Sequence, residues 1–444
     1  MNAYQTDNKG RIRVAWTPNH RDQYTFTYAK QNGEKGNPPY AGTDSTVRPR
    51  YWQWPQWDKE SFYFIGDKSL GENTYVRARF YYDKFNNVIN AYDNANYNTQ
   101  TLPSSFVSPY DDDTFGTTTE FGTKLWNRQS VKLSLYFKDD KHREYNVGEP
   151  QRTFRDQTLS LGFQDTIQLA PRMSAVLGFS ADHLDVLNAQ NYIASTRTIQ
   201  PFPKNNIWAY NPQAGLFYNV SESGKLHFTY ARKTRLPTIK DRYSYRMGQA
   251  IPNPDLREER SDNFEVGYTH ILGARSTIEV ALFRSNISNS TQRFFVQPNV
   301  FQLRNMGEAR YLGGEFSFRT SVTRKLQFST NYTYLSRRNQ TIPATILLDA
   351  PRHKSYSMLT YTWHSRVATF ADLLYEGGRW NANDAGRVLR APSFGAVGIG
   401  GTARLYRAAE LQAGVNNLLD RNYFYVQGYP EAGRNFYVNL RYRF

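Results

Sequence analysis

The densest set of side chains able to hold a ligand lies in a connection expected between Asn32 and Asp58, where Tyr40, Arg48, Arg50, Tyr51, Trp52, Trp54 and Trp57 crowd together. Aromatic faces can stack on a planar aromatic ligand, and adjacent arginines can offset negative charge on it. The competing reading leaves Trp54 and Trp57 at the base of the loop as amphipathic rings of a membrane interface. A second connection, Thr234 to Glu259, carries a similar mixture in Arg235, Lys240, Arg242, Tyr243, Tyr245 and Arg246. Asp111, Asp112 and Asp113 are expected at a loop end, with Asp93 on the same connection. Clustered carboxylate oxygens can hold calcium, but this spacing is not that of an EF-hand, and a solvated acidic tip is the simpler reading.

Other chemistries find no support. The chain has no cysteine, which removes disulfides, thiolate metal sites and cysteine nucleophiles together. Its seven histidines show no ligand spacing, and no nucleophile motif, phosphate loop or nucleic-acid signature stands out. The expectation is therefore a binding protein with no enzymatic activity, no cofactor, no resident metal and no nucleic-acid partner.

What positions these loops is a repeated strand pattern. Val131, Leu133, Leu135 and Phe137 alternate with Lys132, Ser134, Tyr136 and Lys138, and the same beat recurs in Leu159, Leu161, Phe163 and in Ile278, Val280, Leu282. Period two predicts strands, about nineteen of them from Arg11 to Phe444. Among them are Lys59 to Lys68, Asp112 to Leu125, Arg275 to Gln292 and Phe301 to Ser321. Many reach the roughly 9–11 residues that a tilted membrane strand requires. Short links such as Asn19 to Asp22 and Gly273 with Ala274 take turns with long ones such as Phe85 to Asp111 and Val186 to Asn206.

Short turns at one rim and long loops at the other describe an all-β, antiparallel transmembrane barrel, with short periplasmic turns and long extracellular loops. No apolar run approaches the roughly 20 residues of a membrane helix. In lipid every backbone polar group must be paired within the protein, so a sheet crosses only by closing on itself. The apolar face then points outward and the lumen stays wet, which reconciles 16% aromatic residues with only 39% hydrophobic residues and a net charge of +16. On the last strand Phe436, Val438, Leu440, Tyr442 and Phe444 form the expected lipid face, while Asn435, Tyr437, Asn439, Arg441 and Arg443 form the lumen face.

Two groups of residues carry a family resemblance. Val415 to Tyr423 with Asn417 and Asp420, then Gly428, Tyr429, Pro430, Gly433, Arg434 and the strand ending in Phe444, resemble the C-terminal end of TonB-dependent outer-membrane receptors. Arg235-Leu236-Pro237, Asn253-Pro254-Asp255-Leu256 and Glu259-Arg260-Ser261, with Glu265 and Gly267, resemble a second stretch of the same family, which usually has proline where this chain has Glu258. The resemblance implies a 22-stranded barrel around an N-terminal plug, in the bacterial outer membrane. It implies import of a ferric siderophore or similar small chelate, with energy relayed by TonB through the plug. In similar receptors the loop corresponding to Thr234 to Glu259 can close over ligand; contact with lipopolysaccharide phosphates or simple packing are the alternatives. The terminal aromatic of the Phe444 strand resembles the signal read by the barrel-assembly machinery.

The segment Met1-Asn2-Ala3-Tyr4-Gln5 lacks the basic start and apolar stretch of a signal peptide, and the strand pattern leaves no room for a plug. Counting strand directions back from Phe444 puts the first strand on a downward course too, so its start lies outside. Residues 1–444 are accordingly expected to be one barrel domain, N-terminally incomplete by about three strands. Either a missing sector or a strained parallel seam should separate the first strand from the last. A truncated remnant, a plugless pore or a surface-binding barrel without energised transport is the alternative function.

Overall fold

The computed structural model describes residues 2–126, 128–406 and 408–442. Among the described residues nineteen consecutive strands form the wall. The first eight are β1 (Gln5–Trp16), β2 (Gln23–Gly36), β3 (Tyr51–Ser69), β4 (Thr74–Tyr92), β5 (Phe106–Leu125), β6 (Gln129–Glu144), β7 (Arg152–Ala170) and β8 (Met173–Ile193). The next six are β9 (Ile207–Asn219), β10 (Gly224–Arg235), β11 (Glu259–Leu272), β12 (Ser276–Ser288), β13 (Ala309–Ser321) and β14 (Leu326–Asn339). The wall ends with β15 (His353–His364), β16 (Val367–Gly377), β17 (Phe394–Tyr406), β18 (Ala409–Asn416) and β19 (Asn435–Tyr442). Each pairs antiparallel with the next in chain order, the simplest way to satisfy backbone groups in lipid.

The faces divide as the alternation requires. Leu133, Leu135, Leu161, Phe163, Val438 and Leu440 all point away from the lumen, with Leu161 56% and Val438 75% exposed. Lys132 and Gln164, directly paired across β6 and β7, border a polar hollow on the other side. Arg441 on β19 faces Glu410 of β18, 3.4 Å away. Among the described residues no helix is long and apolar enough to cross a membrane; the strands cross instead.

Several strands rise beyond the expected ends. β3 begins at Tyr51 and not near Lys59, and β5 begins at Phe106 and not at Asp112. The Trp52 to Trp57 stretch and the aspartate triplet are therefore strand, not loop, and the connection before β3 shrinks to residues 37–50. The long run expected from Phe301 to Ser321 is two elements. β12 stops at Ser288 because Asn289 turns left-handed (φ 55°), and a hairpin of Thr291–Gln297 and Val300–Asn305 turns at Asn299 (φ 65°). Gly307, at φ 82°, then lets the chain enter β13.

Among the described residues β1 pairs with β2 alone and β19 with β18 alone. β1 starts at the long-loop rim, where Gln5 faces Lys35, and runs to the short-turn rim at Trp16. β19 also runs from a long loop toward the short-turn rim, so the two unpaired edges are parallel in direction. The structure takes the open-seam outcome and not the parallel closure. Phe444 lies outside the described residues.

Candidate functional site

Trp52, Trp54 and Trp57 reach one face through a backbone irregularity. Gln53 faces Asn90 and Gln56 faces Val88, so β3 holds one extra residue between these pairs. A bulge of this kind reverses the in/out order of the residues beyond it. Trp52 and Trp54 thereby join Trp57 on the lumen side, whereas regular alternation would have set them on the opposite face. Pro55 sits inside the bulge, where its missing N–H takes nothing from the ladder. The rings run edge to face, Trp52 to Trp54 at 6.3 Å and Trp54 to Trp57 at 6.1 Å, and Lys35 Nζ lies 3.2 Å from the Trp57 ring centroid. This geometry decides against a membrane-girdle role for Trp54 and Trp57.

These tryptophans form one wall of a cavity of about 550 Å³ below the extracellular loops. The facing wall comes from the connection after β10, which contains a short helix, α1 (Ile239–Tyr243). Thr238 caps it, accepting from Asp241 N while the Asp241 carboxylate accepts from Thr238 N. Lys240, Tyr243 and Arg246 of this connection line the cavity. Tyr243 is buried and stacked on Phe154 of β7, with 5.9 Å between ring centroids. Two separate expected binding segments thus meet in one chamber.

The charges in the chamber are unequally engaged. Asp112 contacts His142 Nδ1, Glu144 is shared between His142 Nε2 (3.3 Å) and Arg152 (3.7 Å), and Asp156 is paired with Arg242. Asp140 accepts from Thr114 Oγ1 at 2.8 Å and pairs with Lys138. Lys240, by contrast, has no hydrogen bond or ion pair among the described residues, and burial, then Arg246, pushes its ammonium pKa down. The chamber holds its carboxylates in internal pairs and leaves a cation free.

His142 lies above the hydrocarbon layer, since the outward residues at its height are Asp113, Lys141 and Arg143. Burial opposes its charge, but hydrogen bonds and charges from Asp112 and Glu144 prevail and raise its pKa to about 9.

Other expected ligand residues do structural work outside the chamber. Arg242 is fully buried against Asp156, and Arg235 braces Asp241 of α1 at 2.8 Å. Tyr245 is exposed and donates to Asn191 Oδ1. Arg50 pairs with Asp384 at 3.3 Å, Tyr51 packs edge-on against Tyr97, and the exposed Arg48 donates its backbone N–H to Asn299. The aspartate triplet forms no calcium site: Asp111 and Asp113 grip Arg143, Asp112 grips His142, and Asp93 accepts from Thr101, Leu102 and Ser105 in its own loop. Among the described residues no cluster of acids and histidines suits a metal. Tyr110, His142 and Phe154 line the chamber without having been singled out, because strand residues facing a lumen resemble one another in sequence.

The motif residues hold the loops. Asn417, left-handed at φ 49°, donates to Arg421 O and Ala432 O, and Asp420 accepts from Arg434 N across the base of the last loop. A side chain on Gly433 would meet Asp420 at 2.7 Å. Tyr429 and Pro430 pair back onto Phe424–Val426. Asn253 donates to Leu303 O and opens a turn through Pro254, and Glu259 accepts from Thr291 N. The last loop also reaches across the seam: Gly428 O accepts from Ala41 N at 2.8 Å, Tyr429 packs edge-on against Tyr40, and Tyr429 OH donates to Asp384, the partner of Arg50. Asn383 completes this clasp by donating to Asp44 at 2.7 Å.

A family model described as TonB dependent receptor-like, beta-barrel, matches residues 3–418. The chain belongs to the TonB-dependent receptors. It is a bacterial outer-membrane barrel of a family of transport receptors, not enzymes. It is 25% identical over 213 residues to the iron-regulated outer membrane virulence protein of Vibrio cholerae serotype O1, covering 44% of this chain and 32% of that one. With the ferric enterobactin receptor of Pseudomonas aeruginosa it shares 24% identity over 335 residues, 63% of this chain and 42% of that one. The match thus spans less than half of these receptors' length. Among solved structures the copper transporter OprC superimposes with a TM-score of 0.84 at 17% identity, over all of this chain and 72% of that one. The siderophore receptor PiuA of Acinetobacter baumannii gives 0.76 at 15%, over all of this chain and 76% of that one. At these identities the likeness is one of fold.

Proposed function

We propose that this TonB-dependent receptor barrel binds a ferric siderophore or another small anionic metal chelate in the chamber beneath its outer loops. The observation that carries the reading is the meeting of the three tryptophans of β3 with Lys240 and Tyr243 of the α1 connection around a cavity of about 550 Å³, within the roughly 300–1,000 Å³ of small-molecule sites. Aromatic faces would stack on the chelator, and Lys240 with Arg246 would meet its charge, because the acids present are already paired. Two of the proteins it resembles, the ferric enterobactin receptor and the siderophore receptor PiuA, support the same reading. Uptake would be energised through TonB by a plug. No such unit fills the lumen among the described residues, and the aromatic-ended Phe444 strand would serve the barrel-assembly machinery.

Titration of the full chain in detergent with a ferric catecholate, read by tryptophan fluorescence, tests this reading. Trp57→Ala and Lys240→Gln should each weaken binding about tenfold, while Trp126→Ala, at the opposite rim and 84% exposed, should not. Quenching that survives both chamber substitutions unchanged would place the ligand elsewhere.

A further inference from the structure

A second cavity, of about 620 Å³, opens at the outer end of β13, β14 and the start of β15. Four arginines line it, Arg310, Arg337, Arg338 and Arg352, together with apolar Ile346 and Trp380, and none of its lining residues is acidic. Arg337 is spoken for: its guanidinium donates to the carbonyls of Leu347, Leu348 and Ala350 and holds the connection after β14 in place. The side chains of Arg310, Arg338 and Arg352 have no hydrogen bond, ion pair or ring contact among the described residues.

Arg310 and Arg338 are directly opposite one another on neighbouring strands. Like charges in such a pair destabilise a sheet, so the arrangement needs a counter-charge that the protein does not supply. Elsewhere near this height several outward arginines are neutralised internally, Arg143 by Asp111 and Asp113, Arg155 by Asp139, and Arg232 by Asp262. The register also fixes which side the pair addresses. Arg310 lies in line with exposed Leu312 and Phe316, and Arg338 with exposed Tyr332 and Tyr334, on the lipid-facing side of the wall. Both stand just above that apolar and aromatic belt, where outer-leaflet headgroups begin.

We propose that this arginine-lined cavity binds a phosphate group of an outer-leaflet lipid. Guanidinium forks match phosphate oxygens bidentately, and Ile346 and Trp380 offer apolar surface beside the headgroup.

Native mass spectrometry and thermal unfolding of the full chain test the site, with bisphosphorylated lipid A, the same lipid stripped of phosphate, and soluble glucose 1-phosphate as probes. Lipid A should stay bound and raise Tm, the dephosphorylated lipid should do neither, and R310Q/R338Q should lower lipid A retention at least tenfold. R155Q, which breaks an ion pair at the same height, should leave retention unchanged. The double substitution should also reverse sign: it raises Tm in uncharged detergent, by removing the repulsion, and lowers it with lipid A present. A purely structural role predicts loss of Tm in both conditions and would overturn the proposal. Retention by the double variant equal to the wild type would do the same, and equal protection by glucose 1-phosphate would overturn the lipid assignment.

Discussion

Three tryptophans share a wall because the extra residue of β3 around Pro55 is taken up in a bulge. Deleting Pro55 should remove the bulge and restore regular alternation, with Trp54 two residues and Trp52 four residues before Trp57, so all three rings stay on the chamber side. Ferric catecholate quenching should then survive the deletion, whereas Trp52→Ala with Trp54→Ala should lower it, the far-ultraviolet circular dichroism of both variants staying that of the intact sheet. His142 supports a pH prediction. Its folded pKa of about 9 exceeds the unfolded value near 6.5, so the protonated ring stabilises the chamber fully below pH 6.5, and that contribution disappears as pH rises through about 9. Melting curves between pH 6.5 and 10 should show Tm falling across this window, and His142→Gln should flatten that part of the profile. Neither feature could be read from residue types. The aromatic loop was visible in the sequence as a ligand candidate, but the bulge that aims it and the Asp112–His142–Glu144 group beneath it depend on cross-strand register.

The strands themselves were legible where lipid demands it. Leu133, Leu135 and Leu161 alternate with polar partners because one face meets hydrocarbon and the other water, and there the expected and observed strands coincide. Above the bilayer both faces are wet, the alternation fades, and the ladder continues unannounced, which is why Tyr51 to Asp58 and Phe106 to Asp111 read as loop. The converse error joined Val300–Asn305 to β13, since a loop hairpin has strand composition without a wall to belong to. The lipid-facing assignment can be tested by charge. Leu161→Arg, near the middle of β7, should cost about 2–4 kcal/mol of folding free energy in vesicles, measured by urea titration. Gln164→Arg, on the lumen face of the same strand, should cost under about 1 kcal/mol.

As a body the barrel has two exposed sheet edges and a rim of loops that meets above them. No strand ladder is formed along the outer side of β1 or of β19 from Asn435 to Arg441 among the described residues, and open edges are unfavourable in lipid. Hydrogen exchange on residues 1–444 in detergent should therefore show the amides of β1 and β19 exchanging far faster than those of β6 and β7. Equal protection at the edges would mean that the seam is closed by pairing not seen here. The seam was anticipated by counting strand directions, whereas the clasp over it was not, because no pattern in residues 37–50 announces contact with residues 378–393 or 417–434. That clasp joins the two extremes of the chain: Tyr40 OH reaches Gln427 over 387 residues of sequence, and Asn383 reaches Asp44 over 339. The entropy of closing so large a loop grows only slowly with its length, but the encounter must wait until the intervening strands have brought its halves together. In time, then, the Tyr40–Tyr429 contact is a terminal event of folding, and a fluorophore or crosslink placed there reports completed assembly and not its onset.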